Sequence, residues 1–430
     1  MKRVLILMSQ PPGGTGVQGL RYAKLFPYTV DSGWELHFSG PSPLLTSLLL
    51  EPLACPPEHC HYTNNVSHSV QFSILKNRQS RSSPLFFVYG LLQFLTRQIE
   101  GLIHHDSYAH LRQGIWGACL AANQRLDFDL LAAKSPDFKI LELGAELAKH
   151  LGKPFLAIYD DPHGQRDESH FYPDDCERQI RVLRKADAVL FMSPLTRDRY
   201  VEQGLVLRGK TFCLTDSYPL NSSFYQQDQP SSHGAEGFGR RTLQMVHLGN
   251  LPEWRPIDPL LEALRSLGKS VDLGLLNIAI YGYVYPRAIE LVRSDPRLSS
   301  CFSICPAVNH FQSHLVAGRA DILLVMIGAR HLDNQPSKFF VYLGHPRPVL
   351  VIGPKNNPIQ SLVEQLGIGV YCDVNSVASI RDGIVEIVSN YDFYCQAFSD
   401  NAAAISRYRA DAVAADLLSV FDQTMRLAAS

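Results

Sequence analysis

Charge imbalance is almost absent from this sequence: 40 lysines and arginines stand against 41 aspartates and glutamates, a net charge of −1. Net charge therefore gives no argument for a nucleic-acid partner, and any anionic ligand has to be met by a local patch. Paired cysteines are missing as well. The nine cysteines are scattered without a C-x-x-C pair or a regular framework, which argues for reduced thiols in the cytoplasm. Cys301 and Cys305, followed by His310 and His314, have a spacing tolerable for zinc, but FSIC reads as a strand, whose residues alternate faces. No tightly bound metal or cofactor is expected. The opening MKRVLILMSQPP has an apolar run too short for a signal-peptide core and no small-residue cleavage site. It is expected as the first buried strand.

What is present is length and alternation. A chain of 430 residues exceeds the roughly 250–300 at which single cores stop growing, so two or three domains are expected. RVLILMS, ELHFSG, FDLLAAKS, PFLAIYD and DAVLFMS read as buried parallel strands, with GLRYAKLFPYTVDSG, ILELGAELAKHLG and DDCERQIRVLRKA as intervening helices. A second series runs LQMVHLGN, LNIAIYG, CFSICPAV, ADILLVMI, RPVLVIG and IGVYCDV, again separated by helical patterns such as DPLLEALRSLG. Residues 215–241, rich in Ser, Gln, Gly and Pro and without periodicity, read as linker and surface loop. The expectation is an α/β protein with two doubly wound domains, residues 1–214 and 242–400, and a C-terminal helix over 401–430 returning toward the first. Such a pair implies a ligand cleft at the carboxyl ends of the two sheets.

In VLILMSQPPGGTGVQGLRYAKLF, Gly14, Gly16 and Gly19 spell G-x-G-x-x-G after a strand, the form of a dinucleotide fingerprint. Two features count against NAD. SQPPG intervenes between strand and glycines, and the second strand, GWELHFSG, carries its only acid, Glu35, near its start, where a ribose-binding acid belongs at the end. What remains is either a turn without a ligand or a longer loop, Pro11 to Gly19, whose glycines let the backbone approach a sugar or phosphate.

At this point the chain resembles the GT-B glycosyltransferases, specifically glycosyltransferase family 4. Its first strand there leads into a GG loop, Gly13-Gly14 here, and a helix. KPFLAIYDDPHG, KADAVLFMSPLTRDRYVEQG, MVHLGNLPEWRPIDPLLEAL and ADILLVMIGARHLDNQPSKFFVYLGHPRPVLVIGP match further family segments in order, across about 350 residues. The resemblance implies two Rossmann-like domains facing each other across a cleft, a nucleotide-sugar donor, and transfer with retention by a front-face route that needs no carboxylate nucleophile.

A donor's diphosphate has to be neutralised by fixed cations and backbone donors as it leaves. The resemblance assigns that task to Arg255 and Lys338, with Gly13, Gly14, Gly249 and Ser337 also at the donor; Ser337 is read as capping the helix KFFVYLG and aiming its first amides at the ligand. The family's E-x7-E pair is altered: Asp333 holds the first position and Val341 the second, where a valine cannot accept ribose hydrogen bonds. Asp160, Asp161 and His163 lie just past a strand end; Asp160 takes the family's histidine slot and His163 falls three residues later, so Asp160, His163 and Asp333 are the catalytic candidates. YDDPHG is equally a good turn sequence.

Residues 76–105, KNRQSRSSPLFFVYGLLQFLTRQIEGLIHH, set Lys76, Arg78 and Arg81 before an apolar, aromatic run too short to span a bilayer. It reads either as a core helix after a basic loop or as a helix lying in a membrane interface. The reading adopted is a cytoplasmic glycosyltransferase, free or peripheral on the inner face of a membrane. Its partners are then a nucleotide sugar and a glycan, lipid-linked or other hydroxyl acceptor. A catalytically silent GT-B module that binds a glycan or partner enzyme is the second reading, and a NAD-dependent oxidoreductase the third.

Overall fold

The computed structural model describes the chain except residues 15, 31, 44–54, 66–67, 78–82, 104–107, 136–137, 161–172, 220–241 and 268–275. The described residues divide into two compact units: Met1–Met192, Thr196–Leu214 and Ala414–Ser430 form the first, and Ser193–Leu195 with Thr215–Val413 the second.

The first unit is built on β1 (Lys2–Leu7), β2 (Trp34–Pro41), β3 (Cys60–Thr63), β4 (Leu130–Lys134), β5 (Phe155–Tyr159), β6 (Ala188–Phe191) and β7 (Thr211–Cys213), in the order β3-β2-β1-β4-β5-β6-β7. Every pairing is parallel. Because helices cover both faces, the central strands are apolar at consecutive positions rather than alternately. Leu5, Leu7, Leu131, Ala133 and Ala157 share one core with Ile140, Leu141 and Leu147 of the helix Phe138–Leu151. Val4 and Ile6, one residue out of phase, are equally buried on the other face. The helix Ala410–Ala429 belongs to this unit from Ala414 onward. There Phe421 packs on Trp34 with ring centroids 5.3 Å apart, and Asp422 Oδ1 lies 2.6 Å from Lys2 Nζ.

The second unit repeats the plan with β8 (Leu243–Leu248), β9 (Leu276–Tyr281), β10 (Phe302–Cys305), β11 (Ile322–Met326), β12 (Val349–Gly353) and β13 (Gly369–Asp373), ordered β10-β9-β8-β11-β12-β13 and wholly parallel. Met245, Ile322, Leu324 and Leu350 face one core with Leu260 and Leu264, while Val246, Leu323, Val325 and Val349 face the other with Phe339 and Phe340. Local chemistry sets the element ends. Asn357 caps the helix Pro358–Leu366 by accepting from the Ile359 amide at 2.9 Å, and Gly367, at φ +60°, closes it.

In both sheets the chain reverses its winding beside the first strand, between β1 and β4 and between β8 and β11. Ligands of open α/β sheets bind beyond the strand carboxyl ends at such points. One stretch departs from its composition: Asp216 and Ser217, grouped above with the linker, are buried in the second unit, where the Tyr218 amide donates to the Tyr408 carbonyl at 3.0 Å. The rest of that stretch, 220–241, lies outside the described residues.

Candidate functional site

Beyond the carboxyl end of β8 the second unit gathers Gly249, Arg255, His247, Ser337 and Lys338. The helix Ser337–Tyr342 turns Phe339, Phe340 and Tyr342 into the core, which leaves Lys338 and Val341, three apart and therefore on one face, half-buried. Lys338 Nζ sits 3.2 Å from His247 Nε2. His247, fully buried at the end of β8, places Nδ1 3.0 Å from the Leu324 carbonyl. A carbonyl only accepts, so Nδ1 carries the proton and the bare Nε2 receives one from the lysine.

Burial, then the Lys338 charge, pushes the His247 imidazole well below its usual range. Burial and the Arg255 charge likewise push the Lys338 ammonium well below its own. Among the described residues no carboxylate counters Lys338, and the charge that acts on it is that of another cation, Arg255. A phosphate placed here would relieve both the desolvation and the repulsion.

Gly249 explains how the lysine fits. Its φ of +123° disfavours any side chain, and a Cβ there would come 2.8 Å from Lys338 Nζ. The ammonium therefore lies directly over this backbone. Arg255 stacks its guanidinium 4.8 Å from the Trp254 ring centroid, and Trp254 in turn meets the His331 ring at 4.9 Å. Asp333, on the loop after β11, is buried. The loop is tied down by Asn357, whose Nδ2 donates to the carbonyls of His331, Leu332 and Asn334 at 3.3, 3.0 and 3.0 Å.

Ser337 differs from its sequence reading. It is the first helical residue, not the cap; Pro336 holds the cap position without a side-chain hydrogen bond. The Ser337 hydroxyl instead donates to the buried Asp216 carboxylate. The helix has six residues, so no anion site is assigned to its terminus.

The first unit places a different cluster at the corresponding strand ends. Asp160, after β5, accepts from Arg21 Nη1 at 2.7 Å through one oxygen and from Lys134 Nζ through the other, while its amide donates to Ser135 Oγ at 2.8 Å. Lys134 is fully buried at the end of β4. His163 and Asp161 lie outside the described residues. Gly13 takes φ +97°, and with Gly14 it is buried in the loop after β1. A Cβ on Gly19 would meet the Pro11 carbonyl oxygen at 2.4 Å, so this glycine lets the helix Val17–Leu25 pack on its own loop. Glu35 is held by Arg3 Nε at 2.8 Å, and β2 ends in Ser39-Gly40-Pro41 without an acid. No ribose-binding acid stands where a dinucleotide fold needs one.

Cys301 turns its Sγ to the Arg297 carbonyl at 3.4 Å. His314 lies between two other histidines: its Nδ1 is 3.1 Å from His345 Nε2, and its Nε2 is 3.3 Å from His310 Nε2. His247 and Asp216 were missed by sequence reasoning. The one available signal was the place of His247 at the end of LQMVHLGN, an apolar strand in which a histidine needs a partner.

No protein-family profile matches this sequence, and no curated protein does. Solved structures match over the whole chain. HepE from Anabaena in complex with UDP superposes with a TM-score of 0.64 at 14% identity, covering 98% of this chain and 100% of that one. Sucrose-phosphate synthase from Thermosynechococcus elongatus gives 0.64 at 13%, with 100% of each chain covered. A glycosyltransferase from Rickettsia africae gives 0.64 at 11%, with 99% of each covered. HepE has also been solved with UDP-glucose. At these identities the likeness establishes the fold, which is GT-B.

Proposed function

We propose that this protein transfers a glycosyl group from a nucleotide-sugar donor to a hydroxyl acceptor, with retention as in glycosyltransferase family 4. The observation that carries the reading is Lys338. It is a half-buried ammonium at the switch point of the second sheet, over the bare backbone of Gly249 and beside Arg255, held by a neutral histidine where an acid would neutralise it. Lys338 and Arg255 take the donor diphosphate, and Gly249 leaves the backbone open to it. Ser337, anchored on Asp216, fixes the first turn of the helix that carries Lys338. Asp333 accepts hydroxyl hydrogen bonds from the sugar. In the first unit, Gly13 and Gly14 are the further donor-binding candidates and His163 remains a catalytic candidate. Asp160, with both oxygens in ion pairs, acts as a positioning residue.

Calorimetric titration with UDP, UDP-glucose and NAD tests the donor site, and release or transfer of sugar across a panel of nucleotide sugars tests the reaction. The expected result is preference for the nucleoside diphosphate over NAD and turnover that falls in Asp333→Asn. Tight nucleotide binding with no turnover for any donor would make the chain a binding module. Absence of nucleotide binding would reject both.

The acceptor proposed is carried at a membrane surface, with the protein in the cytoplasm. No helix among the described residues is long and apolar enough to cross a membrane. The helix Pro84–Ile103, however, leaves Leu85, Phe87, Val88, Leu91, Phe94 and Ile99 exposed, Phe87 by 68%. Lys76 lies over the Phe86 ring at 5.3 Å, so a cation borders the apolar face, as membrane-interface helices arrange it. Flotation with anionic lipid vesicles is expected for the wild type and lost in Leu91→Glu/Phe94→Glu; equal flotation of the two would reject this surface.

A further inference from the structure

One cluster of titratable groups has no part in that reading. It lies where β2 begins, away from the strand carboxyl ends that hold Asp160 and Lys134. Glu35 and His37, two apart on β2, project to one face of the sheet. His59 ends the short turn Pro57–His59 that leads into β3, and His61 lies on β3 itself.

The hydrogen bonds around these side chains leave polar atoms facing one another. His59 Nδ1 is 2.8 Å from the Leu36 carbonyl oxygen, which only accepts, so Nδ1 bears the proton and Nε2 is bare. His37 Nδ1 is 3.1 Å from His61 Nε2. His37 Nε2 is buried, in a residue only 2% exposed, and its nearest polar atom is Glu35 Oε1 at 3.5 Å, too long for a full hydrogen bond. Arg3 Nε holds the other Glu35 oxygen at 2.8 Å, turning Oε1 toward the histidines. A buried ring nitrogen without a partner is costly, and a ligand that accepts its lone pair removes the cost.

We propose that Glu35 Oε1, His37 Nε2 and His59 Nε2 form a binding site for a divalent ion of the zinc type, with a solvent molecule in the fourth position. One ligand atom from each of the three residues lies within 4.8 Å of the other two. Bonds of about 2.0–2.1 Å in a tetrahedral site set ligand atoms about 3.3 Å apart and two imidazole centroids about 5 Å apart. The Glu35–His37 pair already has that spacing, and the His37 and His59 centroids are 4.8 Å apart. Closure asks for up to about 1.5 Å of movement, available to Glu35 and His59, which are both partly exposed and so also give the ion its way in. The Leu36 carbonyl, His61 and Arg3 supply the outer hydrogen bonds that hold ligands in orientation. Two imidazoles and one carboxylate favour zinc over magnesium or calcium. The ion would clamp β2 to the turn before the edge strand β3.

The full-length protein, stripped with chelator, is titrated with Zn²⁺ alone and, for its visible spectrum, with Co²⁺. Expected are one equivalent per chain, a thermal midpoint raised by Zn²⁺ and not by Mg²⁺, and affinity lower by roughly tenfold or more in His59→Gln and in Glu35→Gln. Both substitutions lie at partly exposed positions, so each variant is checked for native circular dichroism and unchanged UDP affinity. A wild type that retains no stoichiometric Zn²⁺, or one whose Zn²⁺ affinity is matched by both folded variants, would overturn the site and leave the histidines as a stacked part of the core.

Discussion

Both units gather cations beyond the carboxyl ends of their central strands, yet they settle those charges in opposite ways. In the first, Lys134 and Arg21 converge on Asp160, which engages each through a separate oxygen. In the second, Lys338 leans on a neutral imidazole beside Arg255. A buried cation is tolerated when a carboxylate meets it with good geometry and costs stability when none does. The first cluster thus holds its own counter-ion, and the second would gain one from a bound anion. Two sheets of the same winding thus carry an ion-pair triad and the proposed donor site at equivalent places.

The sharpest way to break this comparison is to remove one charge from each cluster. Asp160→Asn removes a carboxylate that two buried cations share, and stability of the first unit should fall in urea unfolding, by up to roughly 3–5 kcal/mol. Adding Lys134→Met should restore a large part. Lys338→Met, which deletes an uncompensated charge, should leave the unfolding of the second unit unchanged or raise it. A destabilisation equal to that of Asp160→Asn would erase the distinction.

Ligand affinity should separate the clusters next. Loss of one charge-assisted contact to phosphate removes roughly 1.5–3 kcal/mol, so Lys338→Met should weaken UDP binding about tenfold to a hundredfold by calorimetry. Restoring an acid with Val341→Glu, one turn along the same half-buried face, should tighten the nucleotide complex if the ribose pocket keeps its shape. Weaker binding would mean that Val341 packs against the ligand.

Proton linkage gives a smaller and more specific signal. The Lys338 ammonium sits below its usual range without a ligand, while a bound diphosphate favours the charged form. UDP affinity should therefore be full where the lysine is protonated and decline as pH rises, beginning below the range in which an ordinary lysine titrates. The decline should flatten in Lys338→Met; equal slopes would remove Lys338 from the phosphate site. The smallest effect is expected at Asn357, which caps one helix and holds the Asp333 loop. Asn357→Ala should cost about 1 kcal/mol of stability and lower sugar turnover more than UDP affinity.

The parts of the fold legible in the sequence were those with long, doubly buried elements. VLIL, LLAA and ILLVM could hardly be anything but central parallel strands, since consecutive apolar residues require cover on both sides. The edge strands Cys60–Thr63 and Thr211–Cys213 were not read, because three or four residues of mixed polarity hold too little pattern to stand out. At the candidate site, Lys338, Arg255 and Gly249 came from a resemblance of motifs. His247 did not, because a histidine within an apolar strand carries no mark of the lysine 91 positions away that it holds.

By itself the sequence determined two α/β halves, the strands at the centre of each sheet and a local, rather than global, means of meeting an anion. These follow from periodicity and composition, which are properties of neighbours along the chain. Only the tertiary structure decided that Asp160 meets Arg21 and Lys134, that Ser337 spends its hydroxyl on Asp216 rather than on a helix end, and that Glu35, His37 and His59 bring a ligand atom each within 4.8 Å of one another. Each of these depends on hydrogen bonds and charge pairs whose strength falls steeply with distance and angle, and such geometry is set by how the strands and helices pack.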